Sequence, residues 1–138
     1  MKLNTINKAK ANDYFIVYHN NIRGASSKLE YLNAITKNIV SKVLKDELTD
    51  EEVVIPSVVM LNAINLRKNK KLVLNNYVSY NKNRTNGSMG GVATCVPEND
   101  ANQVTKVSEG SDQNEFVITR HSMFQRPINV INTYWDVE

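Results

Sequence analysis

The polar residues that could do chemistry in this chain begin where an apolar run ends. The stretch PSVVMLNAINLRKNKK, residues 56–71, starts as a buried strand and finishes in a polar turn. Many α/β enzymes place a catalytic carboxylate at such a strand end. This chain has Asn62, Ala63, Ile64 and Asn65 there. Two interpretations stay open: a catalytic acid has been replaced, or Ala63 is a small residue at a tight strand end that never had a catalytic role.

Basic residues follow in two groups and are candidates for contacts with phosphates. The run RKNKK at 67–71 contains Arg67, Lys68 and Lys70, and a later hairpin contributes Lys82 and Arg84. The whole chain carries +3 with a pI near 9.0, a mild excess that is compatible with a phosphate-bearing partner. A solvated loop is the competing interpretation of the run, and the sequence alone favours it.

Other reactive residue types lack the neighbours that their chemistry requires. His19 and His121 have no carboxylate or cysteine at ligand spacing, which favours structural roles. Cys95 stands alone, so an intrachain disulfide and a cysteine zinc site are excluded and a reducing compartment is expected. TNGSMGG at 85–91 lacks the Lys-Ser/Thr of a phosphate-binding P-loop. A secretory signal and a long apolar run are both missing, so the predicted location is intracellular, either nuclear or cytoplasmic.

The elements that position these residues begin with a predicted βαβ unit. YFIVYHN at 14–20 predicts a first strand, and VVIPSVVML at 53–61 predicts a second strand that is buried on both faces. Between them, apolar residues recur at helical spacing over 26–48, and Ser27 with Glu30 predicts a capping box at the helix start. The unit should bring Asn21 and Asn62–Asn65 to one edge of a sheet, where sites form in such folds.

The second half of the chain changes character. The segments YVSY, GGVATCV, VTKVSEG, NEFVITRH and PINVINTY predict short strands with turns between them, arranged as an antiparallel meander. The resulting fold class is α+β. We expect one domain over residues 14–138, preceded by a flexible segment over 1–13.

The order of these segments resembles the first half of the endonuclease domain of non-LTR (LINE-like) retrotransposons, a member of the endonuclease/exonuclease/phosphatase superfamily. The matching motifs are Asn21-Ile22-Arg23-Gly24, Leu61-Asn62-Ala63-Ile64, the hairpin with Arg84 and Gly90-Gly91-Val92, and Asn132-Thr133-Tyr134. The resemblance implies about half of a four-layer αββα sandwich of the DNase I type. It also implies that the chain is truncated, because the family continues beyond the position of Glu138 to a Gly-Asp-x-Asn turn and a Ser-Asp-His end.

The resemblance further implies Mg²⁺-dependent nicking of DNA in the family, with Asn21 and Tyr134 at the catalytic positions. The metal-binding glutamate of the family falls on Ala63, and Trp135 replaces a small residue. Because Mg²⁺ needs carboxylate oxygens, this chain is expected not to hold the metal and to be catalytically inactive.

Two alternatives to an inactive endonuclease fragment remain. One is a noncatalytic module that binds nucleic acid or protein, and the other is a remnant without selected function. Binding to DNA is expected to be weak and nonspecific, through Arg67, Lys68, Lys70, Lys82 and Arg84. If half of the sandwich is missing, the apolar residues of the last strands should share the sheet face that the missing half would cover. This bare face should favour self-association. These residues are Phe116, Ile118, Ile128 and Val130.

Overall fold

A computed structural model describes residues 15–34, 36, 56–85, 89–123 and 125–134. The described chain is α+β and consists mostly of strands in two sheets. The strands are β1 Val17–Asn21, β2 Val58–Asn62, β3 Tyr77–Lys82, β4 Val92–Pro97, β5 Val104–Glu109, β6 Glu115–His121 and β7 Ile128–Tyr134. Two 3₁₀ turns, Ser26–Lys28 and Glu98–Gln103, join them, and residues 29–34 are α-helical. No helix in these ranges is long and apolar enough to cross a membrane.

The first sheet has the strand order β1-β2-β4-β3. β1 and β2 are parallel, as the βαβ prediction requires, and Asn21 lies opposite Asn62 in the register. The two strand ends therefore meet at one edge, which confirms that part of the prediction. β4 is buried on both faces along its whole length and occupies a central place between β2 and β3.

The second sheet has the order β5-β6-β7 and is antiparallel, with an irregularity between Lys106 and Ser108 in β5. All five strands predicted in the second half exist. They do not form one meander, however, because β3 and β4 complete the first sheet. The predominantly apolar β4 needs cover on both faces, and only a central position supplies it. After β4 the chain crosses to the second sheet through the 3₁₀ turn Glu98–Gln103.

Two apolar clusters hold the layers together. One lies on the helix side of the first sheet and includes Ile22, Leu32, Leu61 and Ile64. The other lies between the sheets, and its buried members are Val58, Val96, Val104 and Val130. Leu32 and the partly buried Leu29 confirm the apolar face predicted for the helix, as far as residue 34.

The capping box predicted at Ser27 is wrong. Ser27 lies inside the 3₁₀ turn, and its hydroxyl donates to the carbonyl of Gly24 at 3.5 Å instead of accepting from Glu30. No side chain caps this turn. The rest of the predicted helix, the segment 1–13 and Trp135 lie outside the described residues.

The orientation predicted for the last strands is also wrong. In the register of β6 with β7, Ile118 pairs with Ile131, whereas Val130 pairs with Thr119. Successive residues of a strand lie on opposite faces of its sheet. Ile128 and Val130 therefore pack in the cluster between the sheets, while Phe116 and Ile118 lie on the outer face with Ile131. The four side chains therefore do not share one face of the second sheet. Spacing within one strand tells which of its residues share a face, but the register between strands decides which residues of β6 and β7 lie on the same face.

An ion pair links the hairpin after β3 to the second sheet. Arg84 donates two hydrogen bonds to Glu115, from Nε at 3.2 Å and from Nη2 at 2.9 Å, and Glu115 is 3% exposed. The backbone N–H of Gly91 donates a further bond to Glu115 at 2.9 Å. A Cβ on Gly90, whose φ is +82°, would lie 2.7 Å from Arg84 Nη2. Glycine at position 90 is therefore favoured by its positive φ and by the close approach of this ion pair.

His121 is fully buried between the sheets, as its structural interpretation predicts. Its Nε2 is 2.9 Å from the Thr119 hydroxyl and its ring packs edge-on against Phe15 at 5.6 Å. Within the described residues its Nδ1 has no hydrogen-bond partner. Burial lowers the pKa of His121 below its ordinary value of 6.5.

This lowered pKa predicts a loss of stability in mild acid. Below pH 6.5 His121 is protonated in the unfolded chain but stays neutral in the folded chain until the pH reaches its lower folded pKa. The contribution of neutral His121 to stability is therefore complete above pH 6.5 and is lost as the pH falls toward the folded pKa. Each pH unit between the two pKa values contributes about 1.4 kcal/mol. Urea unfolding from pH 7.5 to about 5 measures the effect. His121→Phe should flatten this dependence and His19→Gln, at an exposed histidine, should preserve it; equal slopes in both variants would contradict the assignment.

Candidate functional site

The sheet edge where Asn21 meets Asn62 is held by a network of side-chain amides. Asn62 is 4% exposed, and its Nδ2 donates to Asn132 Oδ1 at 2.8 Å and to the carbonyl of Thr133 at 3.3 Å. Its Oδ1 contacts His19 Nε2. The structure thus brings Asn21 and Tyr134 to the same region, Asn21 opposite Asn62 and Tyr134 next to Thr133. Their catalytic roles stay predictions.

Ala63 follows β2 in a left-handed conformation, with φ of +53°, and is buried. Its carbonyl accepts a hydrogen bond from the N–H of Gly24 at 2.8 Å, which ties the two strand ends together. The donors at this edge are the amides of Asn21 and Asn62 with the ring of His19. This set does not fit Mg²⁺, which prefers carboxylate oxygens. Among the described residues no three carboxylate, histidine or cysteine side chains cluster at metal-binding distance.

Cys95 is a free cysteine inside the first sheet. Burial raises the pKa of its thiol to about 12, although a side-chain hydrogen bond with Ser79 opposes this shift. The thiol therefore stays protonated at neutral pH and is a poor nucleophile.

The basic run forms an exposed turn after β2, called here the cationic turn, residues 67–71. The N–H of Lys70 donates to the carbonyl of Arg67 at 2.9 Å and closes the turn. All of its side chains are exposed. Within the described ranges, none of its four cations, Arg67, Lys68, Lys70 and Lys71, makes a salt bridge. Their charges are available to an anion from solution.

The side chain of Asn83, just beyond β3, fixes the backbone of the cationic turn. Asn83 is 8% exposed, and its Nδ2 donates to the carbonyls of Arg67 and Lys70 at 2.6 Å each, with a longer contact of 3.4 Å to the carbonyl of Lys68. One buried amide therefore binds three carbonyls of the turn. Sequence reasoning joined the turn to the Asn81–Arg84 hairpin by charge, but missed the neutral residue that connects them.

A row of polar side chains orients this amide. Ser79, Asn81 and Asn83 occupy alternate positions, so they lie on one face of the strand. The Ser79 hydroxyl donates to Asn81 Oδ1, and Asn81 Nδ2 donates to Asn83 Oδ1 at 3.3 Å. With its oxygen already accepting, Asn83 presents its NH₂ to the turn. The period-2 spacing of polar residues in a half-buried strand is the signal in the sequence that could have indicated this row.

Lys82 and Arg84 are placed differently from the cationic turn. Lys82 is 7% exposed, and its Nζ donates to the carbonyl of Asn83 at 2.7 Å and lies 3.4 Å from Asp112. Arg84 is paired with Glu115. A cavity of about 280 Å³ is lined by Lys82 and Asn83 together with Lys68 and Lys70. The structure thus divides the five predicted phosphate-binding residues into three exposed cations and two that are already paired with carboxylates.

The sequence matches no protein-family model and no curated protein. The site offers a fixed, exposed turn with four cations and, at the end of β2, a sheet edge that carries amides.

The contacts of Asn83 predict that it positions the cationic turn. Asn83→Ala leaves carbonyls without their donor and should lower the free energy of unfolding by about 1–3 kcal/mol. Asn69→Ala, at an exposed asparagine in the same turn, should change it by less than about 0.5 kcal/mol. Urea unfolding measures both values. Brief trypsin digestion should cleave after Arg67, Lys68 or Lys70 faster in Asn83→Ala than in Asn69→Ala, and equal cleavage would show that the amide does not fix the turn.

Proposed function

We propose that this chain binds the phosphate backbone of DNA through the cationic turn, without sequence preference and without cleaving it. The observation that carries the proposal is the turn itself, with four exposed cations on a backbone fixed by Asn83. Phosphates lie at regular intervals along a nucleic acid, and a protein that neutralises them releases condensed counterions. A turn that is already ordered avoids part of the entropy cost of arranging its side chains on binding.

The charge distribution supports binding at this turn in preference to the hairpin. Lys82 and Arg84 would have to leave Asp112 and Glu115 before contacting a phosphate, and Glu115 would then be a buried, unpaired carboxylate. Breaking a buried ion pair in this way typically costs about 3–5 kcal/mol. The cationic turn has no ion pair to break within the described structure, so its four cations can contact a phosphate without this cost.

We further propose that the fold is the N-terminal half of an endonuclease-like αββα sandwich that has lost its nuclease activity. Three observations support this: the parallel β1–β2 pair, the two sheets packed face to face, and Asn21 opposite Asn62 at the strand ends. Position 63, which corresponds by resemblance to the metal-binding glutamate of retrotransposon endonucleases, is a buried alanine. Hydrolysis in that family needs a metal held by carboxylates, and the donor set here does not provide them.

Binding through the turn predicts a steep dependence on salt. A plot of log K against log salt concentration for duplex DNA should have a slope of about −3 to −4, since each neutralised phosphate contributes about −0.9, and Kd should be about 10⁻⁴–10⁻⁶ M at physiological salt. Lys68→Glu with Lys70→Glu should weaken binding at least tenfold and reduce the slope by about 2. The control is Lys106→Glu with Arg120→Glu, at two exposed residues of the second sheet, which changes the net charge by the same amount. If both double variants weaken binding equally, the effect is one of net charge and the turn is not the site.

The second proposal predicts no nicking of supercoiled plasmid in millimolar Mg²⁺. The expected result is unchanged supercoiled DNA on an agarose gel after prolonged incubation. The controls are Asn21→Ala and Tyr134→Phe. Nicking that persists in both variants indicates a contaminating nuclease, whereas Mg²⁺-dependent nicking that both variants abolish overturns the claim that activity has been lost.

A further inference from the structure

A second cavity lies on the other side of the cationic turn, between the turn and the start of the helix, with a volume of about 360 Å³. Its apolar lining consists of Leu29, Leu66, Leu72 and Val73. Its cationic lining consists of Arg67, Lys70 and Lys71. The cavity therefore places an aliphatic surface directly beside charges that have no salt-bridge partner within the described residues.

We infer that this cavity holds one unstacked nucleobase of a single-stranded nucleic acid, while the adjoining phosphates contact the cationic turn. The inference rests on the proposed binding of phosphates by that turn and narrows its substrate to a strand with accessible bases. In a duplex the bases are stacked and paired, so a backbone contact alone would leave the aliphatic surface unused. A base that is turned out of a single strand offers an apolar plane next to a phosphate, which is the combination that this cavity matches.

Val73 is an exposed apolar residue at the rim of this cavity. It is 69% exposed, although Leu72 and Leu74 on either side of it are buried in the apolar cluster on the helix side. The two leucines anchor this segment and leave Val73 at the rim of the cavity. An exposed valine beside three cations gains no stabilising contact from a phosphate, because the phosphate is charged and hydrated. Against a nucleobase the same side chain buries apolar area.

Asn65 adds a polar group of fixed orientation to the same cavity. Its Oδ1 accepts the N–H of Gly90 at 2.7 Å, and its own backbone N–H donates to the carbonyl of Gly90 at 2.8 Å. With the oxygen engaged, the amide turns its NH₂ away from Gly90. This NH₂ makes no hydrogen bond to another described residue and can donate to an acceptor on a base edge.

The shape of the cavity favours a base over an acidic peptide. Peptide helices are recognised in elongated apolar grooves with several anchor positions, and extended peptides pair with the edge of a sheet. This cavity has a volume of about 360 Å³, at the lower end of the size of small-molecule sites. It suits one planar group flanked by charge.

The test compares labelled oligonucleotides of equal length by fluorescence anisotropy at one salt concentration. The probes are a single strand of thymidylate, an abasic strand with the same number of phosphates, and a duplex. The thymidylate strand should bind at least about fivefold more tightly than the abasic strand, because its base buries apolar area against the aliphatic lining. Val73→Ser should remove most of that difference, whereas Val107→Ser, at an exposed valine in β5 of the second sheet, should preserve it.

The outcomes separate this inference from the proposed function. Equal binding of the thymidylate and abasic strands, with a retained salt dependence, would overturn base recognition and leave phosphate binding intact. Absence of binding to all three probes would remove the proposed function as well. A labelled oligoglutamate that competes as well as thymidylate and is equally sensitive to Val73→Ser would overturn the inference in favour of an acidic protein partner.

Discussion

The two-sheet arrangement depends on a pair of buried amides, Asn62 from β2 and Asn132 from β7. Apolar packing between sheets has little directional preference, so valines alone would permit several relative positions of the two layers. Asn132 has no exposed surface, and its Nδ2 donates to the carbonyls of Leu61 and Ala93 at 3.3 and 2.9 Å while its Oδ1 accepts from Asn62. A buried amide without partners is costly, and only one placement of β7 over β2 and β4 satisfies both side chains. The position of the candidate site at the end of β2 follows from this placement.

A second constraint sorts the basic residues into two kinds. Basic residues close to the interface between the sheets are paired, Lys82 with Asp112 and Arg84 with Glu115, because an unpaired charge there would lose its hydration without compensation. Those in the cationic turn remain in solvent and keep their charge available. The net charge of the chain is small, yet four exposed cations without a salt-bridge partner among the described residues stand within five consecutive positions. Local concentration of charge matters more for an anionic partner than the total.

Much of the fold could be predicted from period and composition, since each strand carries its own apolar or alternating pattern. The parallel β1–β2 pair followed from the order strand, helix, strand. The division of the later strands between two sheets could not be predicted, because it depends on which strand needs cover on both faces. The faces on which Ile118 and Val130 lie could not be predicted from the sequence either, because they depend on the cross-strand register. At the site, charge identified the cationic turn, but the role of Asn83 depends on contacts 13 to 16 residues away.

The irregularity between Lys106 and Ser108 has a consequence for how copies of this chain can add to one another. Among the described strands, β5 and β7 form the two edges of the second sheet. A regular edge presents a row of unpaired backbone groups that can accept another strand, and a bulge interrupts that row. Lys106 and Glu109, which pair at 2.5 Å, place charge at the same edge. Linear growth by strand addition needs two competent edges on each copy, so the interrupted and charged edge at β5 opposes growth of this sheet into a fibre.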